Sequence, residues 1–151
     1  ICDVAGEPIP TVPHLATALQ YPMAQQATAI LDGFLVDDVA PDVLQQRLKK
    51  NTTGNKTVRL VLCDQVAPAA FSERYKMLGS FSTGAVTCAE TVKIRNREDL
   101  NYYQSRCLML GYPGIYLRHS AENYRPGPSM FFLEVNTAKL KEFKPVDLKK
   151  G

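Results

Sequence analysis

The hydrophobic period of this chain changes once, across the loop Asn51-Thr52-Thr53-Gly54-Asn55, and that change limits the folds open to it. Before the loop, apolar residues recur three and four apart, the spacing of a helix that buries one stripe. After it, short β-branched runs alternate with helical stretches, a pattern that strands connected by helices produce.

In the first part, Pro8, Pro10 and Pro13 make residues 1–13 an extended arm, because proline lacks an amide donor and disfavours helix in the residue before it. From His14 the pattern is helical, with Leu15, Ala18 and Leu19 on one face. Pro22 interrupts and is suited to the first turn of a second helix, whose stripe is Ala27, Ile30, Leu31 and Phe34. A third helix is expected from Pro41 to about Lys50, burying Val43, Leu44 and Leu48, with Arg47, Lys49 and Lys50 near the negative end of its dipole.

In the second part, residues 57–63 (TVRLVLC) read as a buried strand. Pro68 to Leu78 reads as a helix with Phe71, Tyr75 and Leu78 inward, and residues 79–84 as a turn. Residues 85–94 alternate as a second strand. Asn96 is a strong helix cap with Asp99 placed to complete a capping box; the helix runs to about Leu110, turns Leu100, Tyr103, Cys107 and Leu108 inward, and stops at Gly111 before Pro113. Short strands follow near 114–118 and 129–135, separated by a polar loop. The expected fold is α+β. It has a mixed sheet of about four strands (57–63, 85–94, 114–118, 129–135), with N-terminal helices and two connecting helices packed mainly on one face.

At 151 residues the chain is long enough for one domain with a substantial core, assigned to 14–138, followed by a lysine-rich tail at 139–151. No run of 18 apolar residues exists, so no membrane span is expected. The net charge of +3 falls short of the clustered excess of a nucleic-acid binder, and the lysines at 139, 141, 144, 149 and 150 lack interleaved stacking aromatics. On that ground a nucleic-acid partner is not expected and a protein partner is; the oligomeric state is open.

Three features lean toward export. The chain begins at Ile1, as after signal removal, although a piece of a longer protein would also begin so. The sequons at Asn51 and Asn55 are candidate glycosylation sites. The four cysteines, Cys2, Cys63, Cys88 and Cys107, would form two disulfides in an oxidising compartment, with Cys63–Cys88 and Cys2–Cys107 the favoured pairing.

Several chemistries are set aside. The cysteines are too widely spaced for a CxxC pair, and with only His14 and His119 no metal or other cofactor site is expected. Asp32, Asp37, Asp38 and Asp42 lack the ligand alternation of a calcium loop. The 79–84 loop leads into a strand and is followed by no lysine, unlike a phosphate cradle. A cysteine nucleophile at Cys63 is disfavoured by the adjacent Asp64, which raises a thiol pKa.

The most functional-looking stretch is residues 118–125. Here Arg118, His119, Tyr124 and Arg125 form a candidate binding set, and His119 with Glu122 a candidate catalytic pair, where a strand hands over to a loop. The leading expectation is an exported, non-enzymatic recognition domain: a secreted effector, a toxin- or inhibitor-like subunit, or an extracytoplasmic assembly component. The alternative is a small hydrolase or nuclease using His119 with Arg118, Glu122 or Tyr124.

Overall fold

A computed structural model describes residues 1–26, 28–112, 114–127 and 132–136. The fold is α+β, with two separate sheets. The element order is α1 (Pro13–Gln25), β1 (Leu31–Val36), α2 (Pro41–Leu48), β2 (Arg59–Gln65), α3 (Phe71–Leu78), β3 (Val86–Cys88), α4 (Arg97–Met109), β4 (Gly114–Arg118) and β5 (Phe132–Asn136). The first sheet has the order β1-β2-β3, with β1 antiparallel and β3 parallel to β2. The parallel pair is joined through α3, the helical crossover that such a pair requires. The second sheet is the antiparallel pair β4-β5.

The four-strand expectation is corrected on three points. The strands form three plus two rather than one sheet. Residues 31–36, read above as a helical stripe, are β1. The run LDGFLV fits a helical spacing at Leu31, Phe34 and Leu35, but pairing along β2 supplies hydrogen bonds that a glycine-containing helix end does not. The second predicted strand shrinks to Val86–Cys88, three residues long.

Pro22 lies inside α1 rather than starting a new helix. A proline there has no N–H for the carbonyl four residues back, that of Ala18. Thr83 Oγ1 donates to that same carbonyl at 3.4 Å, so the freed acceptor is not left empty.

The core is one cluster drawn from residues 12–86: Val12, Leu15 and Leu19 from the arm and α1, Leu44 from α2, Leu60 and Leu62 from β2, with Leu78, Phe81 and Val86. Leu31 and Leu35 of β1 pack against it, whereas Phe34 between them is 52% exposed. The helices thus cover one face of the first sheet. The arm is tied down at its end, where Thr11 Oγ1 donates to the Leu48 carbonyl at 2.7 Å.

Asn96 caps α4 as expected, accepting from the Asp99 amide at 2.8 Å; the returning bond reaches the amide of Arg95 rather than that of Asn96. None of the α4 residues is buried, and Leu108, expected inward, is 52% exposed. No helix among the described residues is long and apolar enough to cross a membrane. The predicted strand start at 129–131 and the lysine-rich tail lie outside the described residues.

Candidate functional site

The site begins with an irregularity in the first sheet. Asp32 of β1 pairs with Asp64 of β2, but the next residue, Gly33, pairs with Leu62, so Cys63 is left over as a bulge. Gly33 is needed there: a Cβ on it would sit 2.4 Å from the Val61 carbonyl oxygen. The pairing sets two carboxylates across from each other, an arrangement that is unfavourable unless cations compensate it.

The compensation comes from two arginines far apart in sequence. Asp64 is fully buried and accepts from Arg74 Nε at 2.8 Å, Arg74 Nη2 at 3.0 Å and Arg118 Nη1 at 2.8 Å. Its Oδ1 also accepts from the Gln65 amide at 2.8 Å. This many charge-assisted donors offset the desolvation cost of burying the carboxylate. The two guanidinium planes share the Phe71 ring, with Arg118 at 4.6 Å and Arg74 at 5.7 Å from its centroid; Arg74 lies 5.7 Å from the Tyr124 ring as well.

Arg74 carries the network into the loop after β4. Its Nη1 donates to the Glu122 carbonyl at 2.8 Å and to that of Ala69. Helix α3 has no side-chain N-cap. Its first amides donate instead to this loop, Phe71 to the Glu122 carbonyl and Ser72 to that of Ser120, both at 2.9 Å. A bridge between Ala70 and Asn123 completes the seam.

This seam shapes a cleft of about 170 Å³ lined by Asp32, Arg118, residues 122–125 and Gly127. Two carboxylates and two guanidinium groups stand on its wall. Burial raises the Tyr124 phenol above its ordinary pKa, with Asp32 and Asp64 adding to the effect and Arg118 and Arg74 opposing it, so the group stays a neutral donor. Burial, then Asp32, pushes the Cys63 thiol up to about 11, against the pull of Arg118. A thiolate nucleophile is therefore disfavoured there, for the reason anticipated at Asp64 and for the larger one of burial.

Of the residues singled out in sequence, Arg118, Glu122, Tyr124 and Arg125 meet in the cleft. His119 is exposed and absent from its lining; its Nδ1 accepts from the Ala121 amide at 3.3 Å. Asp32 and Asn123 line the cleft but were not chosen as site residues. Asp64 and Arg74 were missed as its supports; the available signal was an acid ending an apolar strand, since a buried aspartate needs a cation. Among the other acids, Asp37 accepts from Arg47 and Thr57, and Asp38 pairs with Arg59. Among the described residues no group of three or more potential metal ligands exists.

The disulfide expectation is corrected: Cys2, Cys63, Cys88 and Cys107 are all free thiols. β2 and β3 are neighbours, as the Cys63–Cys88 pairing required, but the register sets Cys88 beside Leu62, one residue out of step with Cys63. Of the two sequon asparagines, Asn51 is exposed. Asn55 is only 2% exposed, and its Nδ2 donates to the carbonyls of Thr11 and Lys50, so the atom a glycan would need is engaged.

No protein-family model and no curated protein sequence matches the chain. A solved structure does: a Lig E DNA ligase, described as binding DNA with a minimal scaffold, superimposes with a TM-score of 0.60 at 20% identity. The match covers 77% of this chain and 49% of that one, so this chain spans about half the ligase's length. At this identity the likeness is one of fold. It nevertheless contradicts the exported protein-recognition domain and the exclusion of nucleic acid, because the shared scaffold belongs to a DNA-binding protein. The exclusion rested on net charge and on the lysine-rich end, and neither bears on a local pair such as Arg118 and Arg125.

Proposed function

We propose that this chain is a nucleic-acid-binding domain that presents the cleft and the loop after β4 to the phosphate backbone of DNA. The observation that carries this is the scaffold shared with a DNA-binding ligase over three quarters of the chain. The chemistry of the loop supports it. Arginine, asparagine and tyrosine side chains are among the usual donors to phosphate oxygens, and Arg118, Asn123, Tyr124 and Arg125 are gathered within eight residues at one cleft. The reading is one of binding; DNA joining is the activity of a longer protein, of which the match covers 49%.

Asp32 and Glu122 on the same wall limit the positive potential, so the binding is of the weak, sequence-independent kind, with Kd of about 10⁻⁴–10⁻⁶ M. Two arginines neutralising two phosphates give log Kobs a slope of about −2 against log salt. Fluorescence anisotropy of a labelled duplex between 50 and 200 mM salt tests this. Arg125→Ala is expected to reduce the slope to about −1. No binding at 50 mM salt and protein concentrations of about 10⁻⁴ M would overturn the reading.

A further inference from the structure

The cleft residues are held by a carboxylate that does not itself line the cleft. Arg118, at the end of β4, is anchored on Asp64 Oδ2 at 2.8 Å. Four residues on, the Glu122 carbonyl is held by Arg74 Nη1 at 2.8 Å, and Arg74 is oriented by both oxygens of the same carboxylate. Asp64 thus fixes the start of the loop directly and its middle through Arg74. Asn123, Tyr124 and Arg125 continue from that held point, with Asn123 bridged to Ala70 and the Tyr124 ring beside the Arg74 guanidinium.

We infer that Asp64 is a positioning residue for the nucleic-acid-binding loop: its carboxylate, acting through Arg74 and Arg118, prepays the ordering of residues 118–125 so that the loop meets its ligand already shaped. The inference rests on the reading above for what the loop binds, but not for what Asp64 does. A flexible loop would lose affinity in ordering each contacting side chain, whereas a preorganised one does not. The geometry favours a device over ordinary surface pairing. Asp64 is 0% exposed and the Arg74 side chain 1%, while the surface pair Arg106–Glu90 leaves its partners 42% and 68% exposed. The fork matters as well as the charge, because three separate nitrogens of Arg74 reach Asp64, Ala69 and Glu122. Lysine offers one nitrogen and cannot span them.

Arg74→Lys in the full chain is the test variant, since it keeps a cation against Asp64 and removes the fork; Asp64→Asn is its harsher companion. Two readouts are combined, amide hydrogen exchange and the anisotropy titration. In Arg74→Lys the amides of Phe71 and Ser72, which donate to the loop, are expected to exchange at least tenfold faster, with those of Leu60 and Leu62 unchanged. DNA affinity falls about tenfold, and Arg125→Ala costs much less in the Arg74→Lys background than in the native one, a non-additivity that a merely stabilising residue would not produce. Equal cost of Arg125→Ala in both backgrounds, or unchanged Phe71 and Ser72 exchange in folded Arg74→Lys, would overturn the inference. The native chain supplies an arm that needs no variant. The amides of Phe71, Ser72 and Gln65 should open together, and hundredfold faster exchange at the first two would also refute it. A native chain that binds no DNA but shows this shared opening defeats the functional reading and leaves the positioning role standing.

Discussion

The two sheets of this molecule are held in different ways. The β1-β2-β3 sheet lies under α1, α2 and α3 and contributes to a cluster of buried aliphatic and aromatic side chains. The β4-β5 sheet and α4 have nothing comparable among the described residues. No α4 residue is buried, Tyr116 and Leu133 are 61% and 59% exposed, and Met109 is 83% exposed. Among the described residues, the ties between the second region and the first include one carboxylate, two arginines and two helix N-terminal amides. A hydrophobic core tolerates the loss of one contact by partial collapse. A buried ionic junction does not, because removing one partner leaves an uncompensated charge.

Substitutions on the two sides should therefore differ in kind as well as size. Asp64→Ala leaves two guanidinium groups facing an apolar gap and is expected to cost about 3–5 kcal/mol. In denaturant melts followed by limited proteolysis, cleavage should appear first in residues 118–127; cleavage that starts instead in β1 would erase the distinction between the regions. Leu62→Ala, at a position 1% exposed, is expected to cost about 2–5 kcal/mol, with a single cooperative transition. Tyr116→Ala, its counterpart in the second sheet, should stay within about 0.5 kcal/mol.

A pH-dependent effect follows from Cys63. Its folded pKa of about 11 stands above the unfolded 9.0, so the folded state holds the thiol proton more tightly. The resulting stability is complete below pH 9 and is lost as pH rises to about 11. Cys63→Ser or Cys63→Ala should flatten that alkaline decline, and alkylation at pH 8 should mark exposed Cys2 well before Cys63. Arg106→Ala breaks an exposed pair with Glu90 and should cost no more than about 1 kcal/mol. A larger loss there would mean that the second region depends on that pair as well as on Asp64.

The same contrast decides what could be read in advance. Elements set by local chemistry were legible: the Asn96 cap, the helix ending at Leu78, the apolar strand through Leu60 and Leu62, and the short strand ending at Arg118. β1 was not, because its strand state depends on a bulge at Cys63 and on a partner some thirty residues away, and its spacing of Leu31 and Phe34 fits a helix equally well. Half of the candidate site followed from residue type at a strand-to-loop junction, which gave Arg118, Glu122, Tyr124 and Arg125. The rest depends on long-range geometry. Asp64 and Arg118 meet across 54 positions, and nothing periodic links them. His119 drew attention because imidazoles often catalyse, but its ring accepts from the Ala121 amide and it does not line the cleft.

The most direct test is a titration of the isotope-labelled chain with a short DNA duplex, followed by amide chemical shifts residue by residue. Progressive, salt-sensitive shifts concentrated at Asp32 and residues 118–125, with α1 and α2 unmoved, are the expected result. An unchanged spectrum, or shifts gathered on α1 and α2 while residues 118–125 stay fixed, would contradict the assignment of the cleft as the nucleic-acid surface.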